Sequence, residues 1–244
     1  MLSGDNKKEY PPLPFTREEL KKFHEEKYLD ALFKAGKGEL TPEAFMMGLG
    51  TPDCPVFKDM YEYVSLAGGG TLAGARLILD GKADIVFNTA GGFHHAMPAN
   101  CAGFCFINDV VIAAMEFAEK GKKTLFLDID VHHCDGVQYA FYNRNDIMTI
   151  SLHESGKTLF PGTGFENEIG EGEGRGYSIN IPLPVGTYDE AYIRAFKEAA
   201  FPVIKAFNPD VIIIEIGMDI LAGDPLAHLH LTNNCLLYTS PSPR

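Results

Sequence analysis

Residues 125–136 read Leu-Phe-Leu-Asp-Ile-Asp-Val-His-His-Cys-Asp-Gly, and this stretch indicates both the fold class and the kind of site to expect. An apolar segment at residues 124–127 is typical of a buried strand, and it runs directly into five acidic or imidazole side chains. These groups need partners, because an unpaired charge is costly to bury. The alternative interpretation is an ordinary polar loop that follows a strand.

The spacing of the polar residues in this stretch favours a metal site. Alternate side chains of an extended chain share a face, so Asp128, Asp130 and His132 are expected to point in the same direction. Carboxylate oxygens and imidazole nitrogens are ligands that suit a divalent metal such as zinc. The stretch therefore predicts a metal site at the carboxyl end of the strand.

Short apolar strands alternate with helices from residue 84 onward. Strands are predicted at 84–88, 124–128, 147–153, 177–183 and 211–216, and helices at 107–119, 137–143 and 188–206. This pattern predicts an α/β domain with a mostly parallel sheet and helices on both faces. Earlier helices are predicted from the capping box at Thr16 to about Gly36 and from Met60 to Leu79, with a loop-rich stretch between them.

Polar side chains follow several of these strands at their carboxyl ends. His94 and His95 follow the first strand, residues 128–135 follow the second, His153 ends the third, and Asp219 follows the last. Ligands of open α/β sheets bind at the carboxyl ends of the strands, so these loops predict one active site. Adjacent histidines can act as a general base and a general acid when carboxylates orient them, although by themselves they could equally be surface residues.

Composition limits the classes of partner. The 244 residues include 33 acidic and 21 basic side chains, a net charge of −12, which disfavours direct binding of nucleic acid. The five cysteines form no CxxC pair and are typical of thiols in a reducing compartment. The sequence shows neither a signal peptide nor an apolar run of about 20 residues. We therefore expect a cytoplasmic protein without a membrane partner, and the sequence does not indicate an oligomeric state.

Six stretches of the sequence, taken in order, are similar to those of a known family. They are Gly-Gly-Phe-His-His-Ala (91–96), Gly-Phe-Cys-Phe-Ile-Asn-Asp (103–109), Leu-Asp-Ile-Asp-Val-His-His-Cys-Asp-Gly (127–136), Ser-Leu-His (151–153), Phe-Pro-Gly-Thr-Gly (160–164) and Gly-Met-Asp-Ile-Leu-Ala-Gly-Asp-Pro-Leu (217–226). Over roughly residues 16–234 the chain resembles the zinc-dependent histone deacetylase superfamily. Class I histone deacetylases and the prokaryotic acetoin-utilisation-type deacetylases are the most similar branches. The resemblance implies a three-layer α/β fold of the arginase/deacetylase type.

The resemblance also implies roles for individual residues. Asp130, His132 and Asp219 would ligate zinc. His95, oriented by Asp135, would be the general base, and His94, paired with Asp128, would protonate the leaving amine or stabilise charge. A narrow tunnel for an acyl-lysine side chain would be lined by Gly103, Phe104 and Phe160. Leu226 would lie near the wall of this tunnel, and Asp53 would be an acid at its rim that holds the substrate backbone. Without the family pattern, both phenylalanines would be interpreted as core residues.

A structural monovalent cation, K⁺ in this family, is implied as a second ion. The matching residues, some of which would contribute backbone carbonyls, are Asp128, Asp130, His132, Ser151 and Leu152.

The implied reaction is hydrolysis of an N-acetyl-lysine amide in a protein. Two alternatives stay open: hydrolysis of acetylated polyamines or other small acetylated amines, and a non-catalytic binding module. A binuclear manganese ureohydrolase is disfavoured, because that site needs more carboxylates than one Asp-x-His pair and one further aspartate supply.

The chain departs from the family pattern at several points. Phe93 stands where tryptophan is common, and Cys134 where glycine is common. The family's transition-state tyrosine, in a glycine-rich segment beyond Asp219, has no match here, so catalysis by this chain is expected to be impaired. We interpret residues 1–234 as a deacetylase-like domain truncated at both ends, and residues 235–244 as a non-native tail.

Overall fold

The computed structural model of this protein describes residues 7–239. Residues 240–244, which belong to the suspected tail, lie outside the described residues, so the predicted boundary at 234 stays a prediction. The helices are α1 (Arg17–Leu20), α2 (Glu26–Gly36), α3 (Pro42–Met46), α4 (Met60–Leu79), α5 (Asp109–Ala118), α6 (Asp135–Phe141), α7 (Asp189–Ala195), α8 (Phe201–Phe207) and α9 (Asn233–Thr239). The strands are β1 (Thr124–Asp128), β2 (Ile147–Glu154), β3 (Ser178–Leu183) and β4 (Val211–Glu215).

The four strands form one parallel sheet in the order β3-β2-β1-β4. β1 lies between two neighbours, and Asp128 at its end pairs in register with Ser151 of β2 and Glu215 of β4. All five residues of β1 are buried, as the apolar sequence of the strand predicts. The carboxyl ends of the strands therefore meet at one edge of the sheet, where β1 delivers its acidic loop.

Helices cover both faces of the sheet. Leu125 and Leu127 of β1 pack in a core with residues of α7 and α8, whereas Phe126 packs in a second core with α5 and α6. This alternation follows from the two-residue period of a strand. The three-layer α/β architecture is as predicted, and four predicted strands match the structure to within one residue at each end. No helix within residues 7–239 is long and apolar enough to span a bilayer.

The predicted strand at 84–88 is wrong. This segment forms no ladder with any described strand, and Ile85 and Phe87 are both exposed. A groove of about 320 Å³ separates the segment from β4, lined on the β4 side by Ile212 and Ile214 among others. Apolar residues alone do not make a strand, because the backbone needs a partner for its hydrogen bonds.

The single helix predicted from Thr16 to Gly36 is also wrong, because the structure divides it into α1 and α2. The capping box that begins α1 is present, with Thr16 and Glu19 bonded to each other as predicted. The break between the helices turns His24 into the core, where its Nδ1 lies 3.1 Å from the carbonyl oxygen of Met97. The loop-rich stretch that follows contains the short helix α3.

Two adjacent glycines of α4, Gly68 and Gly69, allow a close approach of the backbone. A Cβ added at Gly69 would lie 1.9 Å from the carbonyl oxygen of Leu13, and one added at Gly68 would lie 2.8 Å from Cβ of Asp109. These glycines weaken the helix locally, but they let the chain before α1 and the start of α5 pack against α4.

Asn108 connects helix α5 to the histidine loop. It is fully buried as the N-cap of α5, and its Oδ1 accepts a hydrogen bond from the backbone N–H of Val111 at 3.0 Å. Its Nδ2 donates to the carbonyl oxygens of His94 and Ala96 at 3.3 and 3.1 Å. One amide side chain therefore caps the helix and holds the backbone that carries the two histidines.

We expect Asn108→Ala to lower the free energy of unfolding by about 2–4 kcal/mol, because it removes a helix cap and leaves two carbonyls without their donor. Thr16→Ala is the matched control: it removes an exposed cap alone and should cost only about 1 kcal/mol. Urea unfolding of the two variants and the parent measures the difference. Equal losses in both variants would show that Asn108 acts only as a cap.

Candidate active site

The loop after β1 is held in shape by its own carboxylates. Oδ1 of Asp128 accepts a hydrogen bond from the backbone N–H of Asp130 at 2.9 Å, and Oδ1 of Asp130 accepts from the N–H of His132 at 2.7 Å. Asp219, which follows β4, accepts from the N–H of Val131 at 3.2 Å. The strand alternation expected for these residues ends at Asp128, where β1 stops, and backbone–carboxylate bonds direct the following side chains.

The three side chains implied as zinc ligands lie together. One ligand atom from each of Asp130, His132 and Asp219 lies within 4.8 Å of the other two. Nδ1 of His132 is 3.1 Å from Oδ1 of Asp130 and 3.0 Å from Oδ2 of Asp219. Ligand atoms of a tetrahedral zinc with bonds of about 2.0–2.2 Å lie roughly 3.3–3.6 Å apart, so this donor set and its spacing fit zinc.

The charge of this cluster also suits a cation. Burial opposes a charge on His132, but hydrogen bonds to Asp130 and Asp219 outweigh burial and raise its pKa to about 9. Burial alone would raise the pKa of Asp130, yet its hydrogen bond with His132 and the charge of His94 lower that pKa to about 2. The two carboxylates thus hold a positive charge between them, which is a proton on His132 here and would be a metal ion when one is bound.

Gly217 makes room for the two carboxylates. A Cβ added at this position would lie 2.3 Å from Oδ2 of Asp130 and 2.5 Å from Oδ1 of Asp219. Any larger residue at the end of β4 would push the two acids apart, so a glycine at this position is required by the cluster itself.

His94 forms a buried ion pair with Asp128. Its Nδ1 lies 2.7 Å from Oδ2 of Asp128, and the carboxylate is completely buried. Burial lowers the pKa of His94, but the charge of Asp128 overcomes it and raises the pKa to about 10. His94 therefore carries a proton at neutral pH, and its Nε2 lies 4.0 Å from Oδ1 of Asp130.

His95 also pairs with a carboxylate, but unlike His94 it is neutral. Its Nδ1 lies 2.7 Å from Oδ1 of Asp135, the first residue of α6. Burial and the charge of His94, whose ring lies 4.1 Å away, hold the pKa of His95 well below its usual value. The neutral imidazole ring lies 5.9 Å from the ring of His132. Both predicted histidine–carboxylate pairs are therefore present, and the environment separates a charged histidine from a neutral one.

Of the three implied tunnel residues, Gly103 and Phe160 lie beside His95, and Phe104 is exposed. A Cβ added at Gly103 would lie 2.3 Å from Cδ2 of His95 and 3.0 Å from Cε1 of Phe160, so this glycine lies directly between the two rings. Phe160 packs edge-on to His95 with ring centroids 5.0 Å apart, and its ring is 43% exposed. Phe104 is 59% exposed and has a positive φ of 64°, so it is not a core residue.

Asp53 and Leu226 are the other two residues implied to contact a substrate. Oδ2 of Asp53 accepts a hydrogen bond from the backbone N–H of Gly103 at 2.7 Å, so this acid supports the backbone next to His95. Leu226 is 58% exposed in the loop that also carries Asp219. Their contact with a substrate stays a prediction.

The residues implied for potassium lie at the adjoining ends of β1 and β2. Asp128 and Ser151 are register partners, and Oγ of Ser151 lies 2.8 Å from Nδ1 of His153. Leu152 is fully buried. Binding of a monovalent cation at this place stays a prediction.

Sequence reasoning missed several polar residues around the site. His133 bonds Gln138 at 3.1 Å, and Gln138 donates to Glu168 at 2.7 Å, which connects the acidic loop to the glycine-rich segment before β3. Glu215 lies beside Gly92, and burial raises its pKa to about 8. Glu154 at the end of β2 is likewise buried. Glu154 and Glu215 stand at strand ends, which is a usable signal, but partners that are distant in the sequence are not visible from it. All five cysteines are buried and none is in a disulfide, as expected.

Comparisons with known proteins identify a family and several relatives of this chain. Residues 2–241 match the family model for the histone deacetylase domain. The acetoin utilization protein AcuC of Bacillus subtilis is 44% identical over 221 residues, which cover 90% of this chain and 57% of AcuC. Histone deacetylase 8 of Xenopus laevis is 38% identical over 233 residues, which cover 93% of this chain and 71% of that protein.

A solved structure shares the fold. The crystal structure of a histone deacetylase homolog from Aquifex aeolicus matches with a TM-score of 0.87 and 38% identity, over 93% of this chain and 62% of that one. The chain thus spans between about half and seven tenths of the length of these relatives. Because the family model matches nearly the whole chain and the relatives are 38–44% identical to it, the chain belongs to the histone deacetylase family.

Proposed function

We propose that this protein is a zinc-dependent deacetylase that hydrolyses N-acetyl-lysine amides. The observation that carries the proposal is a neutral, carboxylate-bonded His95 next to the Asp130, His132 and Asp219 cluster. A general base beside an open metal site is the arrangement that metal-assisted amide hydrolysis requires.

Zinc would be held by Asp130, His132 and Asp219, whose donor atoms fit it. When bound, zinc supplies Lewis acidity that polarises the amide carbonyl and makes water a nucleophile near neutral pH. Three protein ligands leave a tetrahedral position for water and substrate.

His95 is assigned as the general base. Its lowered pKa keeps Nε2 free of a proton at neutral pH, while Asp135 fixes the tautomer by accepting from Nδ1–H. His94 is assigned the complementary role: its ion pair with Asp128 keeps it protonated, so it stabilises negative charge and supplies a proton toward the leaving amine.

The opening of the site supports an acylated lysine as substrate. The Phe160 ring packs against His95, and Phe104, which directly follows Gly103, is exposed. Aromatic rings suit the aliphatic stem of a lysine whose amide is uncharged. A small acetylated amine presents the same amide, and a comparison of substrates separates the two classes.

Slow turnover is part of the proposal. The residues after Asp219 contain Tyr238 but no glycine-rich segment before it that matches the family's tyrosine. A missing donor to the developing oxyanion typically lowers the rate by ~10²–10³.

We expect the chain to bind one equivalent of zinc and to release acetate from an acetyl-lysine peptide, at a rate roughly 10²–10³ below that of a version extended to supply the missing oxyanion donor. Asp219→Asn should lose most of the zinc and the remaining activity, whereas Asp224→Asn, a change in the same loop outside the cluster, should retain the metal. Metal analysis and mass spectrometry of the peptide measure these outcomes, with N-acetylated spermidine as the alternative substrate. Full zinc occupancy without any release of acetate would count against the proposal.

We expect His95→Ala to lower kcat/KM by about 10²–10⁴ and to have a larger effect than His94→Ala, since loss of a general base removes proton transfer itself. Both variants should retain the parent's zinc content, because neither residue is in the cluster. Steady-state assays of acetyl-lysine hydrolysis, with metal content measured in parallel, make the comparison. Equal activity of His95→Ala and the parent would refute the assigned role.

The pH profile should have an acidic limb that depends on Asp135. Burial, opposed by the charges of His133 and His94, raises the pKa of Asp135 to about 6, so its negative charge is lost as the pH falls through 6. We expect kcat/KM to decrease by roughly tenfold per pH unit below this value, because protonated Asp135 no longer orients His95. Asp135→Asn should be less active at every pH and should lack this limb. Zinc content is measured at each pH, and an unchanged limb in Asp135→Asn would assign the titration to another group.

A further inference from the structure

We propose that Glu154 is a positioning residue that fixes the loop carrying Phe160 relative to the loop carrying Asp219 and Leu226, and thereby selects the size of the acyl group. The selectivity part of this inference rests on the proposed deacetylase function. The two loops are residues 155–165, after β2, and residues 217–231, after β4.

Glu154 ends β2 at the edge of the sheet where the site lies. Its side chain is completely buried, and its backbone N–H donates to the carbonyl oxygen of Val131 at 2.8 Å. Val131 stands between two of the cluster residues, Asp130 and His132. The carboxylate is therefore fixed relative to the candidate metal site before it contacts either loop.

The first loop is bonded to Glu154 through a hydroxyl group. Oγ1 of Thr158 donates to Oε1 of Glu154 at 2.9 Å. Thr158 lies two residues before Phe160, whose ring packs on His95. This bond limits how far the Phe160 side of the opening can move.

The second loop is bonded to the same carboxylate through His228. The backbone N–H of His228 donates to Oε2 at 2.8 Å, and its Nδ1 lies 3.0 Å from Oε1. His228 lies two residues after Leu226. The loop between them is itself held by Oδ1 of Asp224, which accepts from the N–H groups of Leu226 and Ala227 at 2.8 and 3.0 Å.

A single buried carboxylate thus accepts three hydrogen bonds from two loops that are about 70 residues apart in the sequence. Bonds to a desolvated charge are stronger than bonds between neutral groups, and the atoms that make them are held with little freedom. The distance between the loops then depends on Glu154. A rigid opening discriminates between acyl groups, since one additional methylene in a fitted pocket changes kcat/KM by about 10–200-fold.

The test uses Glu154→Gln, which keeps the size of the side chain but replaces one acceptor oxygen with a donor and removes the charge. Thr158→Val breaks the bond to the first loop alone. Glu116→Gln is the matched control: Glu116 is also a mostly buried carboxylate with two cationic partners, Lys22 and Arg76, but it lies on α5 outside the two loops.

Hydrogen exchange measures the coupling without reference to activity. In Glu154→Gln, backbone amides of both residues 155–165 and 222–231 should exchange roughly tenfold faster than in the parent, because a charge-assisted bond is lost from each loop. In Thr158→Val only the first loop should change, and in Glu116→Gln neither. Faster exchange of one loop alone, or of neither, in Glu154→Gln would overturn the inference.

Activity measures the consequence for selectivity. With acetyl-lysine and butyryl-lysine peptides, Glu154→Gln should lower the preference for acetyl by about tenfold, mainly through KM, at unchanged zinc content. An unchanged preference in an active variant with loosened loops would overturn the selectivity part. If the parent hydrolyses neither peptide, the proposed function fails, and the exchange data still decide whether Glu154 couples the loops.

Discussion

The site depends on the complete burial of Asp128 at the end of the central strand. A carboxylate without solvent must find partners, and it takes two: Nδ1 of His94 and the backbone N–H of Asp130. The first bond places the histidine loop over the end of β1, and the second turns the chain so that the side chains of Asp130 and His132 meet Asp219. The charge that His94 acquires from this pair in turn lowers the pKa of His95 beside it. One desolvated acid thus sets the geometry of the cluster and separates the protonation states of the two histidines.

Close approach explains why glycines surround the polar groups. At Gly103 a side chain would overlap His95, at Gly217 it would overlap two carboxylates, and at Gly164 a Cβ would lie 2.4 Å from Nε2 of His153. Each of these glycines lies where a loop crosses an imidazole or a carboxylate. Because the volume is already filled by these polar side chains, substitution there should displace them rather than only strain the backbone.

The sequence alone was sufficient for the parts of the structure that depend on local patterns. β1, β2, β3 and β4 each have enough apolar residues to identify them, and the family resemblance identified Asp130, His132 and Asp219 before their convergence was known. Prediction from the sequence was wrong where contacts between distant residues determine the secondary structure. Residues 84–88 have the composition of a strand, but they border a groove and do not pair with a neighbouring backbone. Helices α1 and α2 are separate because His24 bonds Met97 and Asn108, which lie far along the chain. Asn108 and Glu154 each have only a weak local signal, a helix N-cap and the end of a strand, and the distant groups that they join cannot be identified from it.

Some of the acidic side chains counted in the composition have structural roles inside the protein. The chain has a net charge of −12, but several of its carboxylates are buried. Asp109 accepts bonds from the N–H groups of Gly92 and Phe93, and Glu154 accepts from Thr158 and His228, while both are buried. These acids serve as internal acceptors that hold loops at the carboxyl edge of the sheet. The formal charge therefore overstates the number of acids that are exposed at the surface.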